Sequence, residues 1–117
     1  MPLLTQGDIV FAPFPYEDDK SISKQRPCLV LAIDSDNGRF LAAKITTTPL
    51  NRVWAVPLKA GCESLKDGDL RLDSWINLNR REWINISDFI FKIGTIHDDI
   101  FDFITKMMTS TANSTNN

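Results

Sequence analysis

The sequence predicts a mainly β fold, a small barrel with a C-terminal helix, and three observations predict it. Six short β-rich runs separated by turn signals fill most of the 117-residue chain. Near the C-terminus the hydrophobic period switches from strand alternation to helical spacing. The length fits one domain, and so small a sheet avoids exposed edges by closing on itself.

"DIVFAPFP" (Asp8–Pro15) is predicted as the first strand, bounded by prolines that lack the N–H a central ladder needs. "YEDDKSISKQ" (Tyr16–Gln25) is polar, charged and without glycine, so it reads as a connection too long for a tight hairpin. "RPCLVLAI" (Arg26–Ile33) reads as the second strand. Turn chemistry in "DSDNGR" then leads to a third, "FLAAKITT" (Phe40–Thr47). "VWAVPL" (Val53–Leu58) reads as the fourth, "LRLDSWINLN" (Leu70–Asn79) as the fifth after a turn at "KDGD", and "FIFKIGTI" (Phe89–Ile96) as the sixth. Beyond "HDD", Ile100, Phe101, Ile104, Met107 and Met108 recur at helical spacing, with Asp98 or Asp99 placed to cap the N-terminus. "TSTANSTNN" carries almost no apolar side chains, so a disordered polar tail over residues 109–117 is expected after a single domain over residues 1–108.

A hydrophobic content of 43% and a charged content of 24% are those of an ordinary globule. No apolar stretch approaches the ~20 residues of a membrane span. "MPLLTQGD" has neither the basic region nor the apolar run of a signal peptide, so a cytoplasmic protein is expected. Cys28 and Cys62 show no metal-ligand spacing and are expected as free thiols, Cys28 packed within a strand. A net charge of −2 and a pI near 5.2 argue against non-specific nucleic-acid coating, which phosphate neutralisation would drive. A local basic site stays open, because Lys20, Lys24, Arg26, Lys44 and Arg52 fall in one part of the sequence.

Within "KQRPCLVL" an arginine and a proline stand where a buried strand begins. Strand side chains alternate faces, which puts Pro27, Leu29, Leu31 and Ile33 on one face and Arg26, Cys28, Val30 and Ala32 on the other. In the third strand, Leu41, Ala43 and Ile45 match the core face and Ala42, Lys44 and Thr46 oppose it. A loop of Ser35, Asp36 and Asn37 sets position 34 opposite 38 and Arg26 opposite Thr46. A two-residue Asn37-Gly38 turn would put Thr46 opposite Leu29 and mix the faces, so the odd loop, or a bulge correcting the register, is preferred. Arg26, Lys44 and Thr46 then share one surface beneath the loop of residues 16–25.

At these residues the sequence resembles the MazF/PemK (Kid-like) toxins of bacterial toxin–antitoxin systems. "GDIVFAPFP", "KQRPCLVL" and "AKITT" (Ala43–Thr47) carry the resemblance, with "FIFKIGTIHDDIFDFI" matching a final strand and terminal helix. It runs over about residues 7–108. It implies a small SH3-like barrel of the CcdB/PemK kind, a homodimer, and a metal-independent endoribonuclease of single-stranded RNA that needs no cofactor and is neutralised by a cognate antitoxin. The arginine before proline and the threonine ending the third strand belong to the family's catalytic site, and they correspond to Arg26 and Thr46. An arginine and a hydroxyl suit this chemistry, because charge builds on the phosphoryl oxygens as the RNA 2′-hydroxyl attacks.

Lys24, Gln25 and Thr47 flank that pair and are expected to bind substrate, with Phe14, Tyr16 and Trp54 as candidate base-stacking groups. Some family members carry an arginine and an aspartate, two residues apart, on the strand matching "SWINLN", where Asn77 and Asn79 stand here. Asparagine binds bases or phosphate but does not transfer protons at neutral pH, which leaves Lys24 or Glu17 for that task. His97 is expected to be structural. A catalytically silent RNA- or protein-binding relative is the alternative, and a CcdB-like gyrase poison is disfavoured because "ITKMMTSTANSTNN" lacks a tryptophan.

Overall fold

Strand β1 (Asp8–Pro15) sets the frame, and its alternation fills two cores rather than one. Ile9 enters one apolar cluster, while Val10, Ala12 and Phe14 enter a second on the opposite face. Asp8 anchors the start although its side chain is fully buried. Its carboxylate accepts hydrogen bonds from Thr95 Oγ1 (2.9 Å), Thr5 N (2.8 Å) and Thr5 Oγ1 (3.0 Å), with Lys92 Nζ at 3.5 Å. A buried carboxylate needs such partners, and here they tie the N-terminal segment to the last strand.

The computed structural model describes residues 4–115, with side chains through Thr109. The strands β2 (Ser23–Asp34), β3 (Arg39–Thr46), β4 (Ala55–Leu58), β5 (Leu65–Gly68), β6 (Ser74–Asn85) and β7 (Phe91–Ile96) join β1, and helix α1 (Asp98–Thr115) follows. They form one seven-stranded antiparallel sheet in the order β4-β6-β3-β2-β1-β7-β5. Its two edges curl toward each other. Val56 and Leu58 of β4 share the first cluster with Leu65 of β5, and the Lys59 N–H donates to Ser64 Oγ at 3.0 Å. Ile104 of α1, fully buried, plugs the same cluster. The result is the expected small barrel with a C-terminal helix.

Several elements depart from the sequence reading. β2 begins at Ser23, so Lys24, Gln25 and Arg26 lie in the ladder, opposite Phe14, Pro13 and Ala12 of β1. Pro27 is tolerated because the β3 ladder stops at Cys28, where β2 still pairs with β1. The β2–β3 turn holds four residues, not three: a 3-10 turn over Ser35–Asn37 is closed by Gly38 in the left-handed region (φ 63°), so Asp34 faces Arg39 rather than residue 38. A bulge at Leu31 then slips the register by one, giving Val30↔Ala42, Leu29↔Ala43 and Cys28↔Lys44. Continued two residues, that register brings Arg26 level with Thr46. The bulge also turns Ile33 onto the second cluster instead of the Leu29 face.

β5 falls in "LKDG", overlapping the turn expected at "KDGD", because three of its four residues are exposed and two of those are charged. It holds through backbone fit against β7. A Cβ on Gly94 would lie 2.4 Å from the Asp67 carbonyl oxygen, and one on Gly68 (φ +93°) 2.3 Å from that of Ile93. Gly94→Ala is therefore expected to lower stability by about 1–3 kcal/mol, several degrees in melting temperature, read by thermal unfolding. β6 starts at Ser74 rather than Leu70 and continues to Asn85, well past Asn79. In α1, Asp98 and Asp99 lie within the first turn, where the helix dipole favours them, and Asp98 binds Lys66 Nζ at 2.6 Å rather than capping. The helix runs through Thr115, into the stretch expected as a disordered tail, since residues 109–117 contain no proline or glycine to stop it. Residues 116–117 of that tail lie outside the described residues.

Candidate functional site

The end of β1, the loop after it, the neighbouring ends of β2 and β3 and the middle of β6 line a cleft of about 180 Å³. Its lining is Phe14 and Pro15 at the base, Tyr16, Glu17 and Asp18 from the loop, and the cations Arg26, Lys44 and Arg80. Each cation stands there for a reason visible in the register. Arg26 shares a face with Cys28, two residues on, and Cys28 faces Lys44 of β3. Lys44 in turn faces Asn77 of β6. The ladder between β3 and β6 then breaks, because residues 78–80 of β6 have no counterpart between Ala43↔Arg81 and Lys44↔Asn77. This irregularity delivers Arg80 to the cleft.

Arg80 is fixed. Its Nη1 donates to Glu82 Oε2 (2.8 Å), its Nη2 to the Pro15 carbonyl (2.8 Å), and its guanidinium lies 5.1 Å from the Phe14 ring centroid. Glu82 also pairs with Lys20. Burial alone would raise the Glu82 carboxyl, but the hydrogen bonds from Lys20 and Arg80 outweigh it and hold it below its ordinary range. Arg26 and Lys44 differ from Arg80: neither makes a side-chain hydrogen bond or ion pair among the described residues. Burial lowers the Lys44 ammonium pKa, and the positive fields of Arg26, Arg80 and Lys24 lower it further against the opposing pull of Glu17. Beneath them, burial pushes the Cys28 thiol up to about 12, so it is a packing group and not a nucleophile.

The structure gathers some of the sequence-predicted residues and disperses others. Arg26 and Tyr16, the latter 40% exposed, line the cleft. Thr46 is the last residue of β3, opposite Trp75 and two positions from Lys44; its Oγ1 accepts from the Thr48 N–H at 3.1 Å, which leaves its own proton to donate. Lys24 and Gln25 are exposed beside the cleft on β2. Phe14, only 2% exposed, is the floor beneath Arg80 and has no free face for a base. Trp54 likewise packs against the first cluster. Thr47 lines a separate groove of about 620 Å³ that also includes Pro27 and Phe91. Asn77 faces Lys44, and its Oδ1 accepts from the Asn79 N–H at 2.9 Å, so this pair shapes the irregularity in β6. His97 stands just before α1, its backbone carbonyl accepting from the Ile100 and Phe101 N–H groups, and it does not line the cleft.

Sequence reasoning missed Arg80 and Glu82. They form an arginine and an acid two residues apart on β6, three positions beyond Asn79 for the acid and Asn77 for the arginine. The signal was present in "NRREW", where Arg80 and Glu82 share a strand face, but the break in the ladder could not be placed.

Solved structures similar to this fold include one described as a toxin and two described as endoribonucleases. "Mycobacterium tuberculosis toxin MazF-mt6" is 21% identical, with 91% of this chain and 96% of that one covered and a TM-score of 0.68. An endoribonuclease in complex with its cognate antitoxin from Mycobacterial species is 13% identical over 95% and 96% of the two chains, TM-score 0.70. An endoribonuclease from Mycobacterial species is 14% identical over 97% and 94%, TM-score 0.68. No curated protein sequence matches the chain. The family model for the PemK-like, MazF-like toxin of type II toxin–antitoxin systems matches residues 5–110, and the chain belongs to that family.

Proposed function

We propose that the protein is a toxin-type endoribonuclease that cuts single-stranded RNA at short sequences without a metal, by attack of the 2′-hydroxyl on the adjacent phosphate. The observation that carries the proposal is a cleft of about 180 Å³ in an acidic protein where Arg26, Lys44 and Arg80 converge. Charge on the phosphoryl oxygens of the transition state is what such a cluster stabilises, and fixed donors do so without reorganising. Arg26 binds the phosphate through two N–H groups and Thr46 donates its hydroxyl proton. Arg80, locked by Glu82 and Pro15, supplies a standing positive field. Tyr16, Lys24 and Gln25 hold the flanking RNA, Tyr16 by stacking.

Membership in a type II family and the antitoxin-bound relative support a cognate antitoxin as partner. A cytoplasmic homodimer is the working assembly, formed through the exposed helix face that carries Phe103. Incubation of purified protein with a long single-stranded RNA in excess chelator tests the activity. Discrete cuts bearing 2′,3′-cyclic phosphate and 5′-hydroxyl ends are expected. RNA that is bound but left intact would instead show a binding module.

A further inference from the structure

The cleft contains a proton donor as well as a charge cluster. We propose that Lys44 is the general acid of the cleavage reaction, protonating the 5′-oxygen as it leaves phosphorus; the inference rests on the endoribonuclease reading above.

Position supports it first. Lys44 projects from β3 between Arg26 on β2 and Asn77 on β6, so a phosphate held by Arg26 is within its reach. Its freedom from fixed partners is the second support. Lys20, Lys66 and Lys92 are each paired with a carboxylate, to Glu82, Asp98 and Asp8 respectively, whereas Lys44 makes no such pair among the described residues. Lys24, beside the cleft, is exposed and does not line it, and the arginines and asparagines of the site are poor acids. A guanidinium is a poor proton donor as a residue type, and Asn77 and Asn79 carry no transferable proton. Cys28 lies buried below the cleft. The charged groups facing Lys44 are Arg26 and Lys24 from β2, Arg80 from β6, and Glu17 from the loop. The cations and the burial outweigh Glu17 and make the ammonium a stronger acid than a free lysine.

The step balances. Hydroxide removes the 2′-hydroxyl proton as water, the 2′-oxygen forms its bond to phosphorus, and the phosphorus–O5′ bond breaks. Lys44 gives one proton to O5′, leaving a neutral amine that takes a proton back from solvent. The products are a 2′,3′-cyclic phosphate and a 5′-hydroxyl.

The test uses a DNA oligonucleotide with one ribonucleotide at a cleavage position mapped for the wild-type protein, in two versions, with O5′ retained or replaced by sulfur. A thiolate leaves without needing a proton. Lys44→Arg keeps the charge but not the usable acid, so it is expected to bind the oligonucleotide like wild type and cut the oxygen version ~10²-fold more slowly, yet cut the sulfur version within about threefold of wild type. Arg26→Ala should stay slow on both versions. A thermal melt and titration of the Lys44 amine by NMR check that the variant fold is intact and that the wild-type amine titrates below ordinary lysine. Lys44→Arg cutting the oxygen version at the wild-type rate, failing on the sulfur version, or being matched in rescue by Arg26→Ala would each overturn the proposal. If the wild-type protein cuts neither substrate nor any RNA, the endoribonuclease reading itself falls.

Discussion

Arg26→Ala is expected to slow single-turnover RNA cleavage by ~10²–10³-fold while changing stability by no more than about 0.5 kcal/mol. The two effects separate because of where Arg26 stands. Its side chain is only half-buried at the rim of the cleft and, among the described residues, makes no hydrogen bond or ion pair that the fold would lose. Its removal also relieves like-charge crowding around Lys44. What disappears is a two-pronged donor on the phosphate, a contact stronger in the transition state than in the bound substrate. Arg26→Lys should recover part of the RNA affinity but little of the rate, since a single ammonium cannot bridge two phosphoryl oxygens. Quenched-flow cleavage together with thermal melts of both variants makes the check. A rate within threefold of wild type in Arg26→Ala, where the stated loss is ~10²-fold or more, would remove Arg26 from the chemistry.

The sequence revealed this arginine because its signal is local. Apolar alternation through β1 and β2 leaves little freedom about which face Arg26 takes, and proline marks where the ladder to β3 must end. The alignment of Arg26 with Thr46 was also legible, though by a different route from the expected loop. A four-residue turn adds one residue to β3's offset, and the bulge at Leu31 takes it back. Facing fixes the outcome in either case, because the wrong register would bring Leu29 into water. The expectation that one face of β2 is core and the other surface was too simple. Cys28 and Val30 pack into the second cluster with Phe40 and Ile84, so the Arg26 face is solvent-accessible only at the strand end.

Features that depend on long-range closure were not legible. β5 holds its place through backbone contact with Gly94, and nothing in "LKDG" itself demands a strand. The three unpaired positions in β6 have the same character: Asn77 and Asn79 read as two outward polar residues, and only the ladder shows them bridged to each other and Arg80 carried past them. Phe14 was a candidate base-stacking group beside a polar loop. It is buried in the second cluster, with Arg80 laid over its ring from a strand more than sixty residues away in the chain.

Arg80 therefore has two duties, and its substitution should show both. Arg80→Ala strips the Pro15 carbonyl and Glu82 of a donor in a partly buried site and uncovers Phe14, for an expected loss of about 1–3 kcal/mol and several degrees in melting temperature. The pH dependence carries a sign. The Glu82 carboxyl lies below its ordinary value of 4.5, so its pairing stabilises the fold fully above that value and is lost as pH falls through the lowered one. Without Arg80 the melting temperature should fall less steeply with acid than in wild type. On the functional side, removing one phosphate-facing cation should reduce the slope of log affinity against log salt by ~0.7 for single-stranded RNA. Arg80→Lys cannot reach Glu82 and Pro15 at once, so it should resemble alanine in the melt while retaining most of the salt slope. Equilibrium RNA binding across a salt series, run beside the melts, separates the duties. A salt slope unchanged in Arg80→Ala would mean that this guanidinium only braces β6 against β1 and that the phosphate is met by Arg26 and Lys44 alone.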